Sequence, residues 1–144
     1  MSELKLIYTK PADIYEIVPA QILGKITDDA GTGDEKPSII TERMKAAENL
    51  VESYLSVRYK LPLIASDGTI PSEVKDAVLT IAKYKLYARR NALNPSVQSE
   101  YDDMISWLKM VAGGKADISL PQVDGSYTEN GTSLQSGSTY GSLF

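Results

Sequence analysis

Acidic residues come closer than any other side chains of this sequence to forming a chemical site. The stretch Asp28-Asp29-Ala30-Gly31-Thr32-Gly33-Asp34-Glu35 places several carboxylates around two glycines, as calcium-binding loops do. Such a loop needs oxygen ligands at alternating positions and a distal bidentate glutamate. Ala30 and Thr32 interrupt the ligand pattern, and residues 38–40 offer no glutamate. The pattern favours a solvated turn, and we expect no metal site.

Few residue types suited to catalysis are present, because the sequence contains no histidine and no cysteine. Lack of histidine removes the most common general base and transition-metal ligand. Lack of cysteine removes thiolate ligands and disulfides. The second acidic cluster, Glu100, Asp102 and Asp103, has neither a nucleophile nor a phosphate-binding glycine loop beside it. We therefore expect no enzyme activity, no catalytic residues and no cofactor.

The densest basic cluster comprises Lys83, Lys85, Arg89 and Arg90. Cations near a helix C-terminus are favoured by the helix dipole, which explains the cluster without a partner. The alternatives are a contact with another subunit, for which Lys85, Arg89 and Arg90 are the candidates, and a contact with DNA phosphates. A net charge of −4 and a pI of about 4.8 argue against a broad nucleic-acid-binding face.

Two single residues are further interface candidates. Arg58 stands where a long helix gives way to Leu61-Pro62-Leu63, so it either closes the core or pairs with a carboxylate of the same or a neighbouring chain. Trp107 lies on the flank of an apolar helix face. It is either the edge of the core or an interface anchor, a role in which tryptophan is enriched.

Three long helices must position these groups. Apolar residues recur at intervals of three and four from Ser38 to about Tyr59, from Pro71 to about Asn91, and from Pro95 to Ala112. Ser38 or Thr41 is the expected cap of the first, and Asn94 of the third. The second helix is apolar on most sides, which predicts a central position.

Shorter elements flank these helices. Pro11 and Ile22 mark two short N-terminal helices, and Thr27 to Pro37 is a predicted loop. Ala116 to Leu120 alternates apolar and polar residues, which is typical of a short strand. The fold class is therefore all-α, with one short strand. No secretory signal and no membrane-spanning run is visible, so synthesis in the cytoplasm is expected.

Residues 121–144 differ from the rest because glycine, serine and threonine dominate them. The division predicted is a helical domain at 1–120 and an extended arm at 121–144. The arm is either an inert tail or a docking segment, since it cannot bury enough apolar surface to order itself. In the second case, five spaced side chains would fill pockets on partner subunits: Tyr127, Leu134, Tyr140, Leu143 and Phe144.

Four blocks stand out by their order and spacing: Leu23 to Gly33, Val51 to Leu63, Ile81 to Arg90, and Tyr101 to Lys109 followed by Gly114 to Leu120. Together they resemble the head–tail connector proteins of Mu-like tailed phages. The resemblance covers Pro11 to Leu120, and the stretch after Pro121 shows no recognisable pattern.

The resemblance implies a structural subunit of the phage virion, placed at the head–tail junction. It implies a homo-oligomeric ring, a dodecamer, that docks under the portal protein and extends the DNA channel. The ring would link the head to the next neck or tail protein, such as a stopper, and genomic DNA would pass without sequence-specific binding. The alternative is a small helical DNA-binding or packaging accessory protein.

Overall fold

The computed structural model describes residues 5–28 and 36–121. Its helices are α1 (Pro11–Ile17), α2 (Ala20–Thr27), α3 (Pro37–Leu55), α4 (Ser72–Tyr87) and α5 (Pro95–Ala112), with a short 3₁₀ turn at Arg89–Asn91. No strand occurs in this part of the chain. The all-α prediction is confirmed. None of the described helices is long and apolar enough to cross a membrane.

Helix α3 presents the apolar face that its sequence predicts. Ile40, Met44, Ala47, Val51 and Leu55 follow one another at intervals of three and four residues, and all are fully buried. Complete burial of one such aliphatic side chain contributes roughly 1.5–3 kcal/mol. This face is therefore one wall of the core.

Helix α4 occupies the centre, as its apolar circumference predicts. It packs against α1, α2, α3 and α5. Its fully buried residues leave only a narrow stripe for solvent: Val74, Ala77, Val78, Ile81, Ala82 and Leu86. The helices on either side of α4 are consequently held to one common core.

Helix α5 begins and ends where the sequence indicates. The Asn94 side chain accepts a hydrogen bond of 3.0 Å from the Val97 N–H, so the predicted cap is confirmed. Gly113 follows the last turn, and Gly114 takes a φ of +83°. That left-handed conformation costs glycine little, so it stops the helix.

Three predicted boundaries are wrong. Helix α3 starts at Pro37, with Lys36 in the cap position, and ends at Leu55 rather than near Tyr59. The chain turns after Leu55 because this buries the Tyr59 ring in the core. Helix α4 ends at Tyr87, and Asn91 takes a φ of +57°, which an α-helix cannot contain.

The strand predicted at Ala116–Leu120 is absent. Within the described residues there is no other strand to pair with, so alternation alone has nothing to stabilise it. Instead, the Ile118 N–H donates to the Tyr59 hydroxyl at 3.2 Å, and the Ala116 carbonyl accepts from Arg58 at 2.9 Å. Side chains of the α3–α4 connection therefore hold this segment.

Candidate interaction surface

A groove of about 520 Å³ runs between α4 and α5. Its α4 side is formed by Glu73, Asp76 and Thr80, which lie three and four residues apart. Its α5 side is formed by residues with the same helical spacing: Glu100, Asp103, Met104 and Trp107. Residues so spaced lie on one helix face, so each helix presents one continuous edge. We call these seven residues the acidic groove.

A contact at each end marks the limits of the acidic groove. At one end the Lys83 Nζ lies 3.3 Å from the Glu100 Oε1. There the Tyr84 and Tyr101 rings stack with centroids 3.7 Å apart. At the other end the Ser119 hydroxyl donates to the Glu73 Oε2 at 2.9 Å. Along α4 the lining of the groove runs from Glu73 to Thr80, or roughly 10 Å of helix.

The charges around the groove are unbalanced. Four of its side chains are carboxylates, and the Lys83 ammonium pairs with one of them. Asp76 and Asp103 are exposed and form no ion pair within the described residues. A negative rim therefore surrounds a mainly apolar lining, to which Met104 and Trp107 contribute.

Among the predicted interface residues that the structure describes, Trp107 alone lines this groove. Its side chain is half-buried and packs against the core while it faces the groove. The core-edge role is thus seen directly. Its place in a groove is also compatible with the second predicted role, that of an anchor for a partner.

Arg58 uses its guanidinium group within its own chain. Nη1 donates to the carbonyl oxygens of Val111 at 2.8 Å and Ala116 at 2.9 Å, and Nη2 donates to the Asp117 carboxylate at 2.9 Å. These bonds fasten the end of α3 to the end of α5. Closing the core is the role that these contacts support.

The basic cluster is dispersed. Lys83 pairs with Glu100 at one end of the acidic groove, while the Arg89 guanidinium donates to the Ile26 carbonyl of α2. Lys85 is half-buried in the last turn of α4, where the helix dipole favours a cation. The side chain of Arg90 lies outside the described structure. Lys85 and Arg89 therefore do not form one joint patch with Lys83.

Sequence reasoning missed a buried carboxylate. Glu48 of α3 is fully buried, and its Oε1 accepts from the Ile7 N–H at 2.8 Å. Its Oε2 accepts from the N–H groups of Tyr8 at 2.8 Å and Thr9 at 3.1 Å, and from the Thr9 hydroxyl at 3.0 Å. The Lys45 Nζ lies 3.8 Å away. We call Glu48 and its bonds to residues 7–9 the Glu48 clamp.

Tyr8 extends this clamp toward the α3–α4 connection. Its hydroxyl donates to the Glu52 Oε2 at 2.6 Å and accepts from the Leu63 N–H at 2.9 Å. Burial, and then the bond to Glu52, raise the pKa of this phenol well above its ordinary value. One sequence signal could have revealed the clamp: Glu48 falls four residues after Met44 and three before Val51, inside the apolar stripe.

Other predicted sites fall outside the described residues. These include most of the Asp28–Glu35 loop and the five arm residues Tyr127, Leu134, Tyr140, Leu143 and Phe144. Among the residues that the structure does describe, no group of acidic side chains could hold a metal ion.

Comparison with known proteins identifies the family. The family model described as "Bacteriophage Mu, Gp36" matches residues 8–136. The chain belongs to the Bacteriophage Mu Gp36 family. A relative, the Mu-like prophage FluMu protein gp36 of Haemophilus influenzae (strain Rd), is 31% identical over 104 residues, which cover 71% of this chain and 70% of the relative.

Membership in the Gp36 family identifies the chain as a Mu-like phage protein. The match passes Leu120, where the resemblance seen in the sequence stopped, and enters the stretch rich in glycine, serine and threonine. The first part of the predicted arm, up to residue 136, therefore lies within the family match, which extends further than the resemblance seen in the sequence.

Proposed function

We propose that this protein is a structural subunit of the phage head–tail connector. Its copies associate into a ring, a dodecamer, beneath the portal protein at the head–tail junction of the virion. The ring extends the channel through which genomic DNA passes, without reading its sequence. Its other side binds the next neck or tail protein, such as a stopper.

Membership in the Gp36 family is the observation that carries this proposal. Shape and chemistry support it. The helices form a small body with one core, and the buried carboxylate of Glu48 serves the fold by accepting hydrogen bonds from its own chain. A small helical body followed by a segment rich in glycine, serine and threonine suits repeated heterologous contacts, which close into a ring when the rotation allows.

The arm, residues 121–144, is the proposed tie between neighbouring proteins. Its aromatic and leucine side chains would fill pockets on a partner, and ordering it would cost entropy, so each copy would bind weakly. A ring presents many copies at once, and this multivalency raises the overall affinity.

Electron microscopy of purified necks tests the connector role. We expect labelled copies of this chain in a ring between the portal and the tail. Deletion of residues 122–144 should leave the helical circular-dichroism spectrum unchanged but should keep the protein out of necks.

A matched pair of variants separates side-chain docking from arm length. Tyr140→Ala with Phe144→Ala should block incorporation into necks, whereas Ser138→Ala with Ser142→Ala should not. Normal phage yield from the arm deletion contradicts the docking role of the arm. Absence of the labelled chain from the neck contradicts the connector role itself.

A further inference from the structure

We infer that the acidic groove binds a segment of a different polypeptide in which lysine or arginine side chains flank an apolar side chain. This assignment names a partner chemistry for a surface that the family resemblance does not mention. It does not require that the subunits close into a ring.

The lining of the groove supplies the apolar half of the argument. Trp107 and Met104 are half-buried between α4 and α5 and face the same space. Tryptophan and methionine are enriched in the cores of protein interfaces. A volume of about 520 Å³ accommodates a few side chains of a partner, not a whole domain.

The rim supplies the charge. Asp76 and Asp103 are exposed, and neither has an ion pair in the described part of the chain. They stand on opposite helices, so a cation between them would meet a carboxylate on each side. Complementary charge of this kind steers a partner to a groove and fixes its register.

The same charges exclude other occupants. Residues 122–144 contain Asp124 and Glu129 but no lysine or arginine, so the arm of this chain would bring negative charge to a negative rim. Nucleic-acid phosphates would be repelled for the same reason. A basic polypeptide segment is the occupant that fits both the lining and the rim.

Fluorescence of Trp107 gives a direct test, because it is the only tryptophan of the chain. The full-length protein is titrated with a short synthetic peptide in which lysines flank a pair of leucines. A second peptide carries glutamate in place of lysine. We expect the lysine peptide to change the Trp107 emission with a saturable, salt-sensitive dependence, and the glutamate peptide to leave it unchanged.

Variants separate the groove from general electrostatic attraction. Asp76→Asn with Asp103→Asn should weaken binding of the lysine peptide by about tenfold or more. The matched control is Glu16→Gln with Asp102→Asn, which removes two exposed carboxylates outside the groove and should change the affinity less than about twofold.

Equal weakening in the two variant pairs overturns the assignment, as does a wild-type protein whose Trp107 emission is unaffected by the lysine peptide. The salt dependence of the wild type gives a readout that needs no variant. Neither result bears on the connector role, because the position of the protein in necks is measured separately.

Discussion

The Glu48 clamp and the acidic groove use the same functional group in opposite ways. Glu48 is fully buried, and both of its oxygens accept hydrogen bonds from residues 7–9. Asp76 and Asp103 are exposed and carry no ion pair within the described chain. A buried carboxylate is stable only when its own chain satisfies it, whereas an exposed one is solvated and stays available to a partner.

The difference shows which carboxylates serve the fold and which serve contacts. The Glu48 clamp joins an N-terminal segment to the middle of α3, some 40 residues away in sequence. Within the part of the chain that the structure describes, the groove carboxylates form only two polar contacts with other segments or helices, the Lys83–Glu100 pair and the Ser119–Glu73 bond. Loss of the first should damage stability, and loss of the second should damage recognition alone.

Glu48→Ala should produce the largest loss of stability. It leaves the buried N–H groups of Tyr8 and Thr9, and the partly buried N–H group of Ile7, without acceptors, so we expect the free energy of unfolding to fall by about 3–5 kcal/mol. Urea denaturation followed by circular dichroism measures this. The control is Glu42→Ala on the exposed face of the same helix, which should cost less than about 0.5 kcal/mol. A loss as small as that of the control would mean that the clamp contributes little.

Tyr8→Phe should produce a smaller loss that depends on pH. Removing the hydroxyl leaves the Leu63 N–H and the Glu52 carboxylate without a partner, which should cost about 1–2 kcal/mol at neutral pH. Because the folded protein raises the pKa of Tyr8 above its ordinary value of 10.0, this phenol stabilises the fold below about pH 10. Its contribution is lost as the pH rises above that value toward the folded pKa.

Urea denaturation at neutral pH and above pH 10 checks the sign of this effect. The decline in stability at alkaline pH should be shallower in Tyr8→Phe than in the wild type. Tyr54→Phe is the control, because the Tyr54 hydroxyl makes no hydrogen bond within the described residues. If the free energy of unfolding falls equally at alkaline pH in all three proteins, the Tyr8 phenol does not contribute to that fall.

Asp76→Asn with Asp103→Asn should have the smallest effect on stability. Both side chains are exposed and unpaired within the described residues, so neutralising them should change the free energy of unfolding by less than about 0.5 kcal/mol. Thermal denaturation beside the wild type measures this. A loss of more than about 1 kcal/mol would place these carboxylates with Glu48, as groups that the fold requires.

Much of the helical body can be predicted from spacing alone. The buried face of α3, the central place of α4 and the Asn94 cap each follow from local patterns, because a helix brings residues three and four apart together. The acidic groove could not be found in this way. Glu73 and Trp107 come together only because α4 and α5 pack side by side. Their separation in the sequence does not predict this proximity.

Contacts over long sequence distances also explain what the sequence left open or predicted wrongly. The two roles considered for Arg58 could not be separated in the sequence because its acceptors, the carbonyls of Val111 and Ala116, lie more than 50 residues away. The strand at Ala116–Leu120 had the correct alternation but no neighbouring strand. The position of Glu48 in an apolar stripe was a local signal of its burial. No sequence pattern identified the groups that donate hydrogen bonds to it.

The amino-acid sequence by itself determined the three long helices, the Asn94 cap, the lack of histidine and cysteine chemistry, and the likeness to a phage family. Only the tertiary structure decided which charged groups are hydrogen-bonded or ion-paired within the chain and which are exposed to solvent. The physical reason is that helix formation depends on neighbours a few residues away, whereas the desolvation of a charge depends on everything that packs around it.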